Sequence, residues 1–215
     1  MCFDMKVALL TDADVFAGTE RHLLDLARAL QDADSECQPI IFCPAPSPLS
    51  ERAQQFGIAT VAVPANRGKL FDAKLLRTLR RNLRSARVDI IHAHNGRTLL
   101  HAVLAQRLAQ RGCVVFTQHF LEPAHASHGG LKAKVFTAAH RWVNSHVKHF
   151  LAVSNAAREG MVERGNATGE KVAVVHHALY NPDQSTLAPQ EQVRAKFGVP
   201  VNAPLVVAVA RLEKE

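Results

Sequence analysis

Short apolar runs alternate with longer amphipathic segments along most of this chain, and that alternation limits the folds open to it. The runs cover residues 7–10, 39–42, 60–63, 89–92, 114–117, 150–153 and 172–175, with an eighth at 205–209. Each is too short for a buried helix and too continuously apolar for a strand with one wet face. Each therefore fits a strand covered on both sides. Between the runs, apolar residues recur at helical spacing: Leu23, Leu24, Leu26, Ala27 and Leu30, then Leu75, Leu76, Leu79 and Leu83, then Leu99, Leu100, Val103, Leu104 and Leu108. Such spacing gives each helix one apolar face. Gly112 stops the third of these helices, and the hydroxyl of Ser154 can cap a further helix ending at Gly165. The pattern predicts an α/β fold: a doubly wound, Rossmann-like parallel sheet of about seven strands, with helices on both faces.

The alternation breaks after residue 175. Pro182, Pro189, Pro200 and Pro204 punctuate a polar stretch with one short helix candidate at 190–197. Residues 1–178 are therefore expected to form one domain, 179–204 a linker, and 205–215 the opening strand of a second domain. A domain of this size buries enough surface to need no covalent staples. Cys2, Cys37, Cys43 and Cys113 show neither a CxxC pair nor metal-ligand spacing, which suits reduced thiols and a cytoplasmic setting. Asp4 and Lys6 interrupt any apolar leader, and no stretch of about 18 apolar residues is present. The formal net charge of +7 suits either an anionic partner or no more than a solubilising surface. A single Trp and a single Tyr argue against single-stranded nucleic acid, whose binders use aromatic stacking platforms.

Ligands of open α/β sheets collect at the carboxyl ends of strands, beside helix N-termini that favour phosphate. The first such junction runs from Thr11 to Glu20. Gly18 there either lets backbone approach an anion or permits a tight turn capped by Thr19. No GxGxxG or GxxxxGK[ST] occurs, which removes the dinucleotide and P-loop readings. Asp12 and Asp14 read as carboxylates capping a loop rather than as a metal site. Histidines gather at predicted strand ends: His92 and His94, His119, His125 and His128, and His176 and His177. His92 suits a hydrogen-bonded strand position, while His94 and His119 suit either a sugar or phosphate contact or a structural role. With no HxxxH and no carboxylate partner in register, no metal is expected. The basic face Lys74, Arg77, Arg80, Arg81 and Arg84 opposes the leucines of its helix. It is either a solvated face or a surface for anionic lipid.

Taken in order, six segments resemble the family-4 glycosyltransferases of the GT-B fold. They are Ala17-Gly18-Thr19-Glu20-Arg21-His22, similar to the family's GGxE turn; residues 88–94; residues 115–119; residues 152–156 with their "VS" helix start; residues 171–175; and residues 207–215, similar to a "VGRLxxxKG" opening. The resemblance implies one half of a two-domain enzyme that moves a sugar from a nucleotide-diphosphate sugar to a glycan or lipid-linked acceptor with retention. It implies no cofactor, a cytoplasmic enzyme peripheral to the plasma membrane, and a role in polysaccharide assembly. By carry-over, Gly18, Thr19 and Arg211 meet the donor diphosphate and His119 is the catalytic contact to the transferred sugar. Glu20, His94, Asn95 and Ser154 belong to the acceptor side. The first glycine of the turn is Ala17 here, the usual NG after the seventh strand is His176-His177-Ala178, and the glycine before the arginine is Ala210. The donor half with its E-x7-E motif lies outside these residues, so the chain alone is expected to be inactive. The alternatives are half of a UDP-sugar 2-epimerase of the same twin-domain plan, or a non-catalytic α/β binding domain.

Overall fold

A computed structural model describes all residues except 1–4, 34–35, 66–67, 120–130, 179–184, 186 and 209–215. Strands β1 (Met5–Leu10), β2 (Cys37–Cys43), β3 (Ala59–Ala62), β4 (Ile90–Ala93), β5 (Cys113–Gln118), β6 (Val147–Ala152) and β7 (Val172–Val174) alternate with helices. The helices are α1 (Gly18–Asp32), α2 (Pro48–Gln55), α3 (Ala73–Ser85), α4 (Gly96–Ala109), α5 (Leu131–Ser145) and α6 (Asn155–Glu163). The strands form one parallel sheet in the order β3-β2-β1-β4-β5-β6-β7. This is the doubly wound sheet that the periodicity predicts.

Side chains of successive strand residues point to opposite faces, and β1 shows the result. Val7 and Leu9 pack with Leu23, Leu24 and Ala27 of α1 and with Leu49 and Ala53 of α2. Ala8 and Leu10 pack in a second cluster with Leu75, Leu79 and Leu83 of α3 and with Leu99, Ala102 and Val103 of α4. The chain winds outward through β2 and β3, then crosses back to place β4 on the other side of β1. Right-handed crossovers then put the later helices on the opposite face. The β1–β4 boundary is the topological switch point, where connections diverge and leave a crevice at the strands' carboxyl ends.

Local chemistry fixes the helix starts. Asp72 accepts from Lys74 and Leu75 N–H at 2.8 and 3.2 Å, Asn95 accepts from Thr98 N–H at 2.8 Å, and Ser154 accepts from Ala157 N–H at 3.1 Å. Gly112 turns the chain from α4 into β5 at φ +75°, and a Cβ there would come within 3.1 Å of the Val88 carbonyl. That position requires glycine.

Residues 180–215 form a second, small unit, which carries helix α7 (Gln190–Lys196). The strand predicted from Leu205 is not formed over 205–208, which are irregular and exposed, with Val206 at 95 %. A β-branched run becomes a strand only where a neighbour takes up its backbone hydrogen bonds.

Candidate functional site

The β1–α1 connection is built around Glu20, which is 3 % exposed. Its Oε1 accepts from Thr11 Oγ1 and its Oε2 from Ala17 N–H, both at 3.1 Å, which ties the end of β1 to the first turn of α1. The first intrahelical bond runs from Arg21 N–H to the Ala17 carbonyl at 2.9 Å, so the amides of Gly18, Thr19 and Glu20 precede the helix's own bonding. A Cβ placed on Gly18 would meet nothing within 4 Å, and Gly18 does not adopt a left-handed backbone. The fold itself does not call for glycine there. What Gly18 leaves is open space beside the positive end of a 15-residue helix.

Across the switch point, buried Asp12 at the end of β1 accepts from Asn95 Nδ2 at 3.1 Å and from Arg97 Nε. Arg97 also donates through Nη1 to the Lys69 carbonyl at 3.0 Å. Asn95 thus caps α4 with one atom and reaches β1 with another. A positive charge in the first turn of a helix opposes the helix dipole, and the Asp12 carboxylate supplies its compensation.

Beside these groups the histidines form one chain of rings. His94 Nδ1 lies 2.9 Å from His119 Nε2, His119 Nδ1 lies 3.3 Å from His177 Nε2, and His177 Nδ1 lies 2.7 Å from His22 Nδ1. His92 packs on His94 with ring centroids 4.1 Å apart, and its Nε2 meets Thr117 Oγ1 at 2.7 Å. Burial, reinforced by the neighbouring rings, pushes His92 and His119 down to about 3 and His22 to about 4. The same causes hold His94 well below the ordinary histidine range. The rings are therefore neutral at neutral pH. A neutral imidazole has one N–H and one lone pair. The three links consequently run in one direction along the chain, with His119 giving a nitrogen to each neighbour.

Residues 16–179 match the profile of Glycosyltransferase Family 4. The chain belongs to that family. It matches no curated protein in sequence. Among solved structures it resembles the Anabaena protein Alr3699/HepE in complex with UDP-glucose (TM-score 0.68, 20 % identity, 90 % of this chain and 50 % of that one). It also resembles a glycosyltransferase from Rickettsia africae ESF-5 (TM-score 0.70, 19 % identity, 93 % and 51 %). A third likeness is to a protein from Listeria monocytogenes described as a UDP-N-acetylglucosamine 2-epimerase (TM-score 0.52, 13 % identity, 78 % and 44 %). The chain spans about half the length of each. Its sheet is one half of the GT-B fold.

In this family-4 domain, the residues singled out from the sequence fall into three groups. His94 and His119 are brought into contact, and Asn95 stands beside them at the start of α4. Gly18, Thr19 and Glu20 open α1, the helix that also carries His22. Ser154 lies at the end of β6, with its oxygen engaged by the helix it caps. Arg211 lies outside the described residues, as do His125 and His128. His22, His177 and Arg97 were not singled out as site residues, because each meets its partners only through the fold. The one local signal was the basic residue at the start of α4. His22, His94 and His119 arise on three separate elements, so no sequence spacing could announce them as a group.

Proposed function

We propose that this chain is the acceptor-side half of a retaining glycosyltransferase that moves a sugar from a nucleoside-diphosphate sugar, of the uridine class, to a glycan or lipid-linked acceptor. The observation that carries this reading is the meeting of an open helix N-terminus at Gly18 with the neutral His94–His119 pair at the β1–β4 switch point. The complex of HepE with UDP-glucose supports the choice of donor class.

In this reading the Gly18 and Thr19 amides and the dipole of α1 take the diphosphate, together with Arg211. The bond from the anomeric carbon to phosphate breaks, the acceptor oxygen bonds that carbon, and the acceptor proton passes to the departing diphosphate. Positive charge grows on the sugar ring meanwhile. A neutral His119 adds no opposing charge, and a sugar hydroxyl that donates to its ring lone pair is held more strongly as that charge develops. His119 meets the sugar by releasing His177, its exposed neighbour. Asn95 and His94 face the acceptor, with Ser154 further along the rim. Glu20 enters as a positioning residue, because both its oxygens are held within the turn. The transfer needs no cofactor and no metal. The exposed arginines of α3 hold the enzyme on the anionic cytoplasmic leaflet, where lipid-linked acceptors reside.

The test is product analysis by NMR after the whole protein is incubated with a panel of nucleotide sugars and acceptors. Expected is a glycosylated acceptor with the donor's anomeric configuration. The likeness to the Listeria protein favours one second reading, a nucleotide-sugar epimerase. An epimer still attached to its nucleotide, formed without any acceptor, would establish that reading instead.

A further inference from the structure

We propose that His22, His94 and His119 form a binding site for a divalent metal of the zinc class, with a fourth coordination position open to the cleft. Each offers a ring nitrogen within 4.8 Å of the other two. The ring centroids make a nearly regular triangle, 5.2 Å from His22 to His119, 5.2 Å from His94 to His119 and 5.7 Å from His22 to His94. Zinc bonds imidazole nitrogen at about 2.0–2.1 Å, so two ligands on a tetrahedral ion lie about 3.3–3.4 Å apart. The His94–His119 edge, at 2.9 Å, needs to open by only about half an ångström on that measure. His22, half-buried on α1, supplies the rest of the closure by turning its ring.

An ion replaces the His94 Nδ1–His119 Nε2 hydrogen bond, displacing the one proton held between those two facing nitrogens. His94 is 3 % exposed, and its Nε2 has no hydrogen-bond partner among the described residues. The nearby carboxylates are already committed, Asp12 to Asn95 and Arg97, and Glu20 to Thr11 and Ala17. An all-imidazole donor set selects zinc, copper, nickel or cobalt over magnesium or calcium, which prefer oxygen. His177, 3.3 Å from His119, stands where an outer partner would fix the orientation of a metal-bound ring.

A metal on His119 removes that ring from any sugar, so zinc binding closes the cleft. This consequence rests on the transfer reading above. The binding itself does not.

The test is titration of the chelator-treated full chain with cobalt(II), followed by visible absorption. Expected is one cobalt per chain with the intense bands of a four-coordinate site holding three ring nitrogens, displaced by zinc and unmoved by excess magnesium. His22→Asn, on a half-buried helix position, should weaken binding at least tenfold while its chelated form melts like wild type. His94→Gln should do the same if it folds. His146→Gln, at the opposite end of the sheet, should bind as wild type. Octahedral weak-band spectra, binding equal in His22→Asn and wild type, or an equal loss in His146→Gln would each overturn the proposal. Transfer assays with and without zinc then test the closure separately. Zinc bound with transfer undiminished would leave the site standing and sink its regulatory role.

Discussion

Glu20 does its work inside the chain. It holds the turn that exposes the α1 amides, and removing it leaves Ala17 N–H without a partner at the edge of the core. Glu20→Ala should therefore cost about 1–3 kcal/mol, the penalty for orphaning a buried polar group. Glu20→Gln, which keeps an acceptor oxygen, should cost less. Urea unfolding of both variants decides, and equal losses would assign the effect to charge rather than to the hydrogen bond. The histidines make a second prediction for the metal-free chain in the presence of chelator. In the folded state His22, His92 and His119 titrate at about 3–4, against an ordinary value of 6.5. Below about pH 6.5 the unfolded chain binds the extra protons, so stability is fully present above that pH and falls as the pH drops towards the folded values. The urea midpoint should hold steady from about pH 8 to pH 7 and decline below about pH 6.5. A midpoint that rises on acidification would contradict the burial of these rings. At this scale His94 and His119 were legible because each follows a buried strand. His177 also stood at a predicted strand end, but its pairing with His22 was not legible, because 155 residues separate two ring nitrogens that lie 2.7 Å apart.

Helix α3 divides its surface cleanly, with Leu75, Leu79 and Leu83 fully buried and Lys74, Arg77, Arg80 and Arg81 exposed. Leu79→Ala should cost about 2–5 kcal/mol, the range for a core leucine whose cavity stays open. Chemical denaturation measures this directly, and a cost below about 1 kcal/mol would mean that the α3–α4 packing is loose. The basic face, read in the sequence as one stripe, is shorter in the structure. Arg84 turns aside to donate to the carbonyls of Ala109 and Leu108 at the end of α4, at 3.2 and 3.4 Å. The remaining cations each contribute about 1 kcal/mol near an anionic leaflet. Vesicles containing anionic lipid should bind the chain and neutral vesicles should not. Release should follow as salt rises towards 1 M, because the Debye length falls to about 3 Å. Arg77→Glu with Arg80→Glu and Arg81→Glu should abolish binding without lowering the melting temperature. Equal binding to both kinds of vesicle would reduce the face to a solvated surface. Elements of this kind were legible because periodicity is local. Residues 205–208 of the eighth run form no strand, because a strand also needs a neighbour.

At the scale of the molecule, the switch point between β1 and β4 gathers residues from α1, α4 and the ends of β4 and β5 into one crevice. Residues 1–215 by themselves are expected to release no nucleotide from any nucleotide sugar, since the donor half of a GT-B enzyme binds that substrate. Robust transfer by this chain alone would refute the division of labour. The proposed reaction centre lies in this crevice, with His119 on the transferred sugar. The most direct measurement is the rate of nucleotide-diphosphate release by the whole enzyme with its acceptor, wild type against His119→Ala, with exposed His149→Ala as control. The expected loss in turnover is about 10²-fold or more for His119→Ala, the scale of losing one well-placed hydrogen-bonding group at the transition state, and none for His149→Ala. Wild-type turnover in His119→Ala would contradict it.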